Sequence, residues 1–186
     1  MSNDIHVYLL TGPRAAGKSE YSKKLLAAQQ DLHLVSRDEI MVRLFGSEHS
    51  DPYSGGHFYA TEEMYRVLCQ NLSAQGKVRI VLDTWTGESS KRKALLMKLR
   101  GFGATRVTAL YFITPIELVD EWFWKKPGIA KMGEMRGHQG EGLVFYSEDA
   151  PRRDYQMFHK LAFGIDSDGF DVVVRVNPTQ PIITLK

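Results

Sequence analysis

The chain has 186 residues, which at roughly 150 residues per domain points to one folding unit and leaves no room for a second of full size. Its 43% hydrophobic and 11% aromatic residues suffice for a core and its 25% charged residues for a solvated surface, which excludes a disordered or fibrous chain. Twenty-four Lys and Arg against twenty-two Asp and Glu leave a formal charge of +2, too small for an overall electrostatic grip on nucleic acid, though a local basic face stays open.

In chain order, Ile5 to Leu10 is an apolar run broken at Thr11-Gly12-Pro13, as a buried strand would be. Tyr21, Leu25 and Ala28 then recur at helical spacing between Ser19 and Gln30, and Leu32 to Ser36 reads as a second strand. Tyr65, Leu68, Cys69 and Leu72 make an i, i+3, i+4, i+7 stripe closed by Gly76, which puts Cys69 in the core. Val78 to Leu82 is a third strand ending at Asp83, and Leu95, Leu96, Leu99 and Phe102 form a helical stripe stopped by Gly101 and Gly103. After a fourth strand, Val107 to Ile113, the sequence Thr114-Pro115-Ile116-Glu117 has the arrangement of a capping box with proline at the first helical position. From Pro127 to Ala150 glycines and charges alternate with no steady period, the pattern of a mobile loop or lid. Phe170 to Val176 is a last strand, followed by Asn177-Pro178. Strands that read as unbroken apolar runs and alternate with helices imply an α/β fold on a mainly parallel sheet. The N-terminus lacks the basic start and apolar stretch of a signal peptide, no run reaches about eighteen apolar residues, and the single Cys69 excludes a disulfide framework; a cytoplasmic protein without membrane spans is expected, its oligomeric state open.

Gly12-Pro13-Arg14-Ala15-Ala16-Gly17-Lys18-Ser19 fits G-x-x-x-x-G-K-[ST], and it stands between a strand and a helix, the setting in which that motif cradles phosphate. Loop N–H groups and the helix dipole hold the anion, Lys18 reaches the outer phosphates, and Ser19 ligates Mg²⁺. Asp83, closing the third strand, is positioned as the second, Walker-B-type carboxylate for the metal; an Asp at a strand end also caps turns. Asp38, after the second strand in Ser36-Arg37-Asp38-Glu39, is placed to take a proton from an attacking hydroxyl at the crevice where strand ends converge, or else to begin a helix beside Arg37.

Together, the phosphate loop, Ser36-Arg37-Asp38-Glu39 about twenty residues on, Val81-Leu82-Asp83-Thr84, and Pro115-Ile116-Glu117-Leu118-Val119 ahead of a basic turn resemble the kinase domain of phage-type polynucleotide kinases over Ile5 to Lys126. The resemblance implies a P-loop NTPase of adenylate-kinase-like layering: a parallel sheet of order 2-3-1-4-5, helices on both faces and a lid at 127–150 within one domain spanning 1–186. It further implies ATP with Mg²⁺ as donor, Asp38 as general base, and Arg37 supporting the same pocket. Met41 stands where that family commonly has an arginine touching a nucleic-acid phosphate, and the helix after the fourth strand reads Asp120-Glu121-Trp122-Phe123-Trp124-Lys125-Lys126 in place of the family's Arg-Asn pair. Lys125, Lys126, Arg136 and Arg152 are the candidates for the lid cation, and Asn177-Pro178 for a wall against adenine.

The Trp122-Phe123-Trp124 cluster either stacks unpaired bases or packs a helix end on the sheet. Lys91, Arg92, Lys93, Lys98 and Arg100 read as a solvated helix face before a nucleic-acid track. Asp166-Ser167-Asp168-Gly169 lacks the closing Glu of a calcium loop and reads as a turn. The expected activity is phosphoryl transfer from ATP to a hydroxyl of a nucleic acid, either a 5′ end or a hydroxymethylated base. A small-molecule kinase acting on a nucleoside, sugar or antibiotic is the alternative on the same scaffold, and a nucleotide-switch ATPase the third reading.

Overall fold

The computed structural model describes residues 4–46, 55–73, 76–133 and 143–185. In chain order the elements are β1 (Asp4–Thr11), α1 (Lys18–Ala28), β2 (Leu32–Ser36), α2 (Arg37–Phe45), α3 (Gly56–Leu72), β3 (Lys77–Asp83), α4 (Ser89–Gly101), β4 (Arg106–Phe112), α5 (Ile116–Trp124), β5 (Ile129–Lys131), β6 (Val144–Tyr146), α6 (Ala150–Leu161), a 3₁₀ turn at Ile165–Ser167, and β7 (Val172–Val176). The main sheet runs β2-β3-β1-β4-β7 with every neighbouring pair parallel, which is the predicted order once β7 is counted as the fifth strand of the sheet.

The period-two alternation of β1 divides the core. Ile5, Val7 and Leu9 face one way and meet Ile40 and Met41 of α2, Met64 and Leu68 of α3, and Leu95, Leu96 and Leu99 of α4. Tyr8 and Leu10 face the other way and meet Tyr21 and Leu25 of α1, with Ile182, Ile183 and Leu185 of the C-terminal segment packed on the same face. A smaller cluster gathers Ala15 of the phosphate loop with Val119, Phe123 and Ala150. It ties that loop to α5 and the start of α6.

Four expectations change. Cys69 is exposed, because α3 buries the i, i+4 line Ala60, Met64, Leu68, Leu72 and the residue next to Leu68 is turned about 100° away. Ala28 is likewise exposed, at the last turn of α1 beyond the sheet. Segment 127–150 is not structureless: β5 and β6 pair in parallel, Ile129 beside Val144 and Lys131 beside Tyr146, while residues 134–142 lie outside the described set. Finally, Thr114 does not cap α5; Pro115 occupies the cap position without a side-chain bond, and Thr114 Oγ donates to the Ala16 carbonyl at 2.8 Å. No described helix is long and apolar enough to cross a membrane.

Candidate active site

The phosphate loop leaves β1 and returns into α1 through two left-handed residues, Ala15 at φ 60° and Gly17 at φ 82°. Left-handed positions turn successive N–H groups inward into a concave anion nest, and Gly17 is the cap from which α1 starts. Space as well as conformation demands the glycines. A Cβ at Gly12 would stand 2.8 Å from Phe112 Cβ, and one at Gly17 would stand 2.9 Å from the Trp122 ring and 3.4 Å from Pro178 Cβ. Trp122 and Pro178 therefore border the loop at the helix start, and Pro178 belongs to the Asn177-Pro178 pair expected to wall adenine. Asn177 closes its own turn, its Oδ1 accepting from Thr179 N and Oγ.

Lys18 Nζ donates to the carbonyls of Gly12 at 3.0 Å and Pro13 at 2.8 Å, so the ammonium is folded against the loop that carries it. Burial lowers its pKa, opposed by the Asp83 and Asp38 carboxylates and assisted by the Lys126 and Arg14 charges. Register explains the company. Leu10 of β1 and Ser36 of β2 both pair with Asp83, so the strand ends bearing the phosphate loop, Asp83 and Asp38 lie side by side. Burial raises the Asp83 pKa, with Lys18 pulling it down and Asp38 pushing it up. Each charge is held at a desolvation cost, which phosphate beside Lys18 and a divalent cation beside Asp83 would offset.

Asp38 opens α2 at the rim, its side chain 56% exposed, and accepts from Arg37 Nη2 at 3.2 Å. Ser36 Oγ caps this helix by accepting from Glu39 N at 3.3 Å, which fixes the turn that presents Asp38. Arg37 Nε is buried with no hydrogen-bond partner among the described residues. Ser19, first-turn neighbour of Lys18, is exposed. Among the described residues no three His, Cys, Asp or Glu gather as a metal cage. The hard-oxygen pair Ser19 and Asp83 suits Mg²⁺, which typically takes few protein ligands and fills its octahedron with water and phosphate oxygens.

The AAA domain family matches residues 7–136, most of the chain, including the phosphate loop, Asp38 and Asp83. The chain belongs to that family. No curated protein sequence matches it significantly. Solved structures of similar fold include a protein described as a kinase from Chloroflexus aurantiacus j-10-fl (15% identity, TM-score 0.57, covering 94% of this chain and 86% of that one). The Pnkp1/Rnl/Hen1 RNA repair complex aligns at 11% identity and TM-score 0.57, covering 95% and 81%, and a gluconokinase from Sinorhizobium meliloti 1021 at 13% and 0.53, covering 97% and 87%. At these identities the likeness is one of fold: an α/β P-loop kinase fold on a parallel sheet.

Within this AAA domain the candidate lid cations separate. Lys125 is paired with Glu121 one turn back, and Arg152 Nη2 lies 3.4 Å from Asp120 Oδ2. Lys126 is close enough to depress the Lys18 pKa; Arg136 lies outside the described residues. A cation absent from that candidate set shares the position. Arg14, in the phosphate loop itself, donates from Nη1 to Tyr146 Oη at 2.8 Å, sits 5.4 Å from that ring's centre and reaches Asp154 at 3.8 Å. It joins the loop to β6 and α6.

Sequence reasoning also misplaced part of the basic run. Arg92 is fully buried, its Nε 2.5 Å from Asp168 Oδ2, and its Nη1 donates to the carbonyls of Thr86, at 2.9 Å, and Gly87. Lys98 lies 3.7 Å over the Tyr65 ring and Arg100 pairs with Asp171 at 3.2 Å, so α4 offers no continuous cationic track. Arg92 shares the line of Leu95, Leu96 and Leu99, and that spacing was the available signal. The Trp122-Phe123-Trp124 cluster is resolved toward packing: Phe123 is fully buried, and Trp122 lies on the phosphate loop.

Proposed function

We propose that this protein transfers the γ-phosphoryl group of ATP to a hydroxyl, with nucleic acid the favoured acceptor. One observation carries the reading: the adjoining ends of β1, β3 and β2 lead into Lys18, end at Asp83 and lead into Asp38, around a phosphate loop with left-handed Ala15 and Gly17. The loop amides and Lys18 hold the β- and γ-phosphates, and Trp122 with Pro178 flanks the adenine end. Ser19 and Asp83 would hold Mg²⁺, which would supply neutralisation of the phosphate charge. Asp38 accepts the proton as the acceptor oxygen bonds to phosphorus and the bond to the β-phosphate oxygen breaks, releasing ADP. Lys126 and Arg14, whose charges both act on Lys18, would meet the negative charge that spreads over the transferred group; Arg14 brings the forked guanidinium that a lysine cannot reproduce.

The nucleic-acid preference is supported by the order and spacing of the motifs and by the exposed setting of Asp38, which leaves room for a polymer end or an extruded base. A small-molecule acceptor is the second reading, supported by the pairing of Lys125, Lys98, Arg100 and Arg152, which spends cations a polymer would use. The deciding experiment offers labelled ATP with 5′-hydroxyl DNA, 5′-hydroxyl RNA, hydroxymethylated DNA, nucleosides and sugars, at several salt concentrations. A polynucleotide acceptor gives a KM that rises steeply with salt, because neutralised phosphates release counterions. A salt-insensitive KM with a nucleoside or sugar moves the assignment to the second reading, and ATP hydrolysis without label transfer removes both.

A further inference from the structure

Trp85 is the large aromatic left exposed on the loop that follows Asp83, at 38% accessibility. A lone exposed aromatic is ordinary on a protein surface, but Trp85 stands two residues beyond Asp83, just past the end of β3. This one is also held. Its ring meets buried Phe158 of α6 edge-on, centres 5.9 Å apart and planes at 74°. On another side it lies over Gly87, where a Cβ would stand 2.5 Å from Trp85 Cζ2.

The backbone beneath it is anchored with equal care. Arg92 reaches up from α4 to the carbonyls of Thr86 and Gly87, and Asp168 holds Arg92 from behind while also meeting Ser89 Oγ. Thr86 Oγ donates to Thr11 Oγ at 3.4 Å, joining the same loop to the last residue of β1. A buried ion pair is expensive to desolvate, and here its directional bonds end on the loop that carries Trp85. The exposed aromatics of α3, Phe58 and Tyr59, have no such support and pair with each other.

An indole packed against Phe158 and Gly87 two residues beyond Asp83 suits a flat π-system. We propose that Trp85 is the platform on which a base of the acceptor stacks, so that the acceptor is base-bearing and Trp85 positions its hydroxyl to attack the γ-phosphorus while Asp38 takes the proton. The proposal rests on the phosphoryl-transfer reading above and deepens it by naming the acceptor class. Arg92 serves as a positioning residue for that platform. Stacking is tolerant of base identity, since every base has a π-face, so the contact would favour nucleobases over sugars without selecting one base.

The test uses the whole chain and a fluorescein-labelled single-stranded 5′-hydroxyl oligonucleotide, with a matched strand abasic over its first nucleotides. Wild-type protein binds the base-bearing strand about tenfold or more tighter than the abasic one, the scale of one base–aromatic stack. Trp85→Ala removes that difference and raises the acceptor KM by a similar factor, with the ATP KM unchanged; Trp85→Phe restores most of both. The wild-type comparison of the two strands stands even where Trp85→Ala folds poorly. Equal binding of both strands by wild type, or equal weakening of both by Trp85→Ala, overturns the platform while transfer to the oligonucleotide keeps the kinase reading. Transfer to a free nucleoside that depends on Trp85 keeps the platform and removes the polymer. Transfer only to a base-free sugar overturns the platform and the nucleic-acid reading together.

Discussion

Arg92 Nε lies 2.5 Å from Asp168 Oδ2, joining α4 to the turn before β7, and both side chains are closed off from solvent. Removing one member leaves the other as an uncompensated interior charge, so Arg92→Met is expected to destabilise the fold by about 3–5 kcal/mol. For a chain of this size that lowers Tm by roughly 6–20 °C. The double variant Arg92→Met/Asp168→Leu recovers part of the loss. Calorimetry checks both, and an unchanged Tm in the single variant would contradict the buried pair.

Lys18→Ala is expected to abolish transfer, by about a hundredfold or more, while Tm stays near wild type. Among the described residues, Lys18 Nζ bonds to carbonyls of its own loop, Gly12 and Pro13, and Lys18 is not part of the apolar core. The assay is label transfer alongside thermal unfolding. Turnover near normal in the folded variant would take the phosphate loop out of the mechanism.

Asp38→Asn separates chemistry from binding. A positioned base contributes about a hundredfold or more, so kcat is expected to fall by that scale with the ATP dissociation constant unchanged. The side chain is exposed and bonds Arg37, and the helix is capped by Ser36, so the substitution leaves the helix intact. A matching loss of nucleotide affinity would reassign Asp38 to binding.

Arg14→Lys keeps the charge but loses the fork that spans Tyr146 and Asp154. The expected result is a kcat several-fold to a hundredfold lower, with a smaller change in ATP KM, because the contact strengthens as charge develops. Steady-state kinetics in both substrates reads this out. A change confined to ATP KM would make Arg14 a ground-state phosphate ligand.

His159 supplies a pH dependence of stability. Its Nδ1 meets Tyr111 Oη at 2.7 Å, its Nε2 is buried without a partner, and burial holds its pKa below the ordinary 6.5. As pH falls below that value the unfolded chain takes up the proton first, so stability is present above it and is lost as pH drops toward the folded pKa. Urea unfolding at pH 7 and pH 5 is expected to show this loss, reduced in His159→Gln. An equal slope in the variant would place the effect elsewhere.

The parallel sheet, the phosphate loop and the positions of Lys18, Asp38 and Asp83 were legible in the sequence because each rests on local rules. Apolar runs mark strands, glycines with Lys-Ser between strand and helix mark an anion cradle, and carboxylates at strand ends follow from where those strands stop. The helical stripes of α1, α3 and α4 were legible for the same reason, while the α5 cap was misread and α6 was not foreseen; Cys69 went wrong because a two-sided stripe leaves the buried edge open by one residue. What only the tertiary structure decided are contacts between segments far apart in the chain. Thr114 reads as a helix cap and instead bonds Ala16, Arg92 reads as a solvated charge and instead meets Asp168, and Trp122 closes on Gly17. Such pairings depend on which faces the sheet order brings together, and a polar side chain's partner is set by proximity in the folded chain, which local periodicity does not encode.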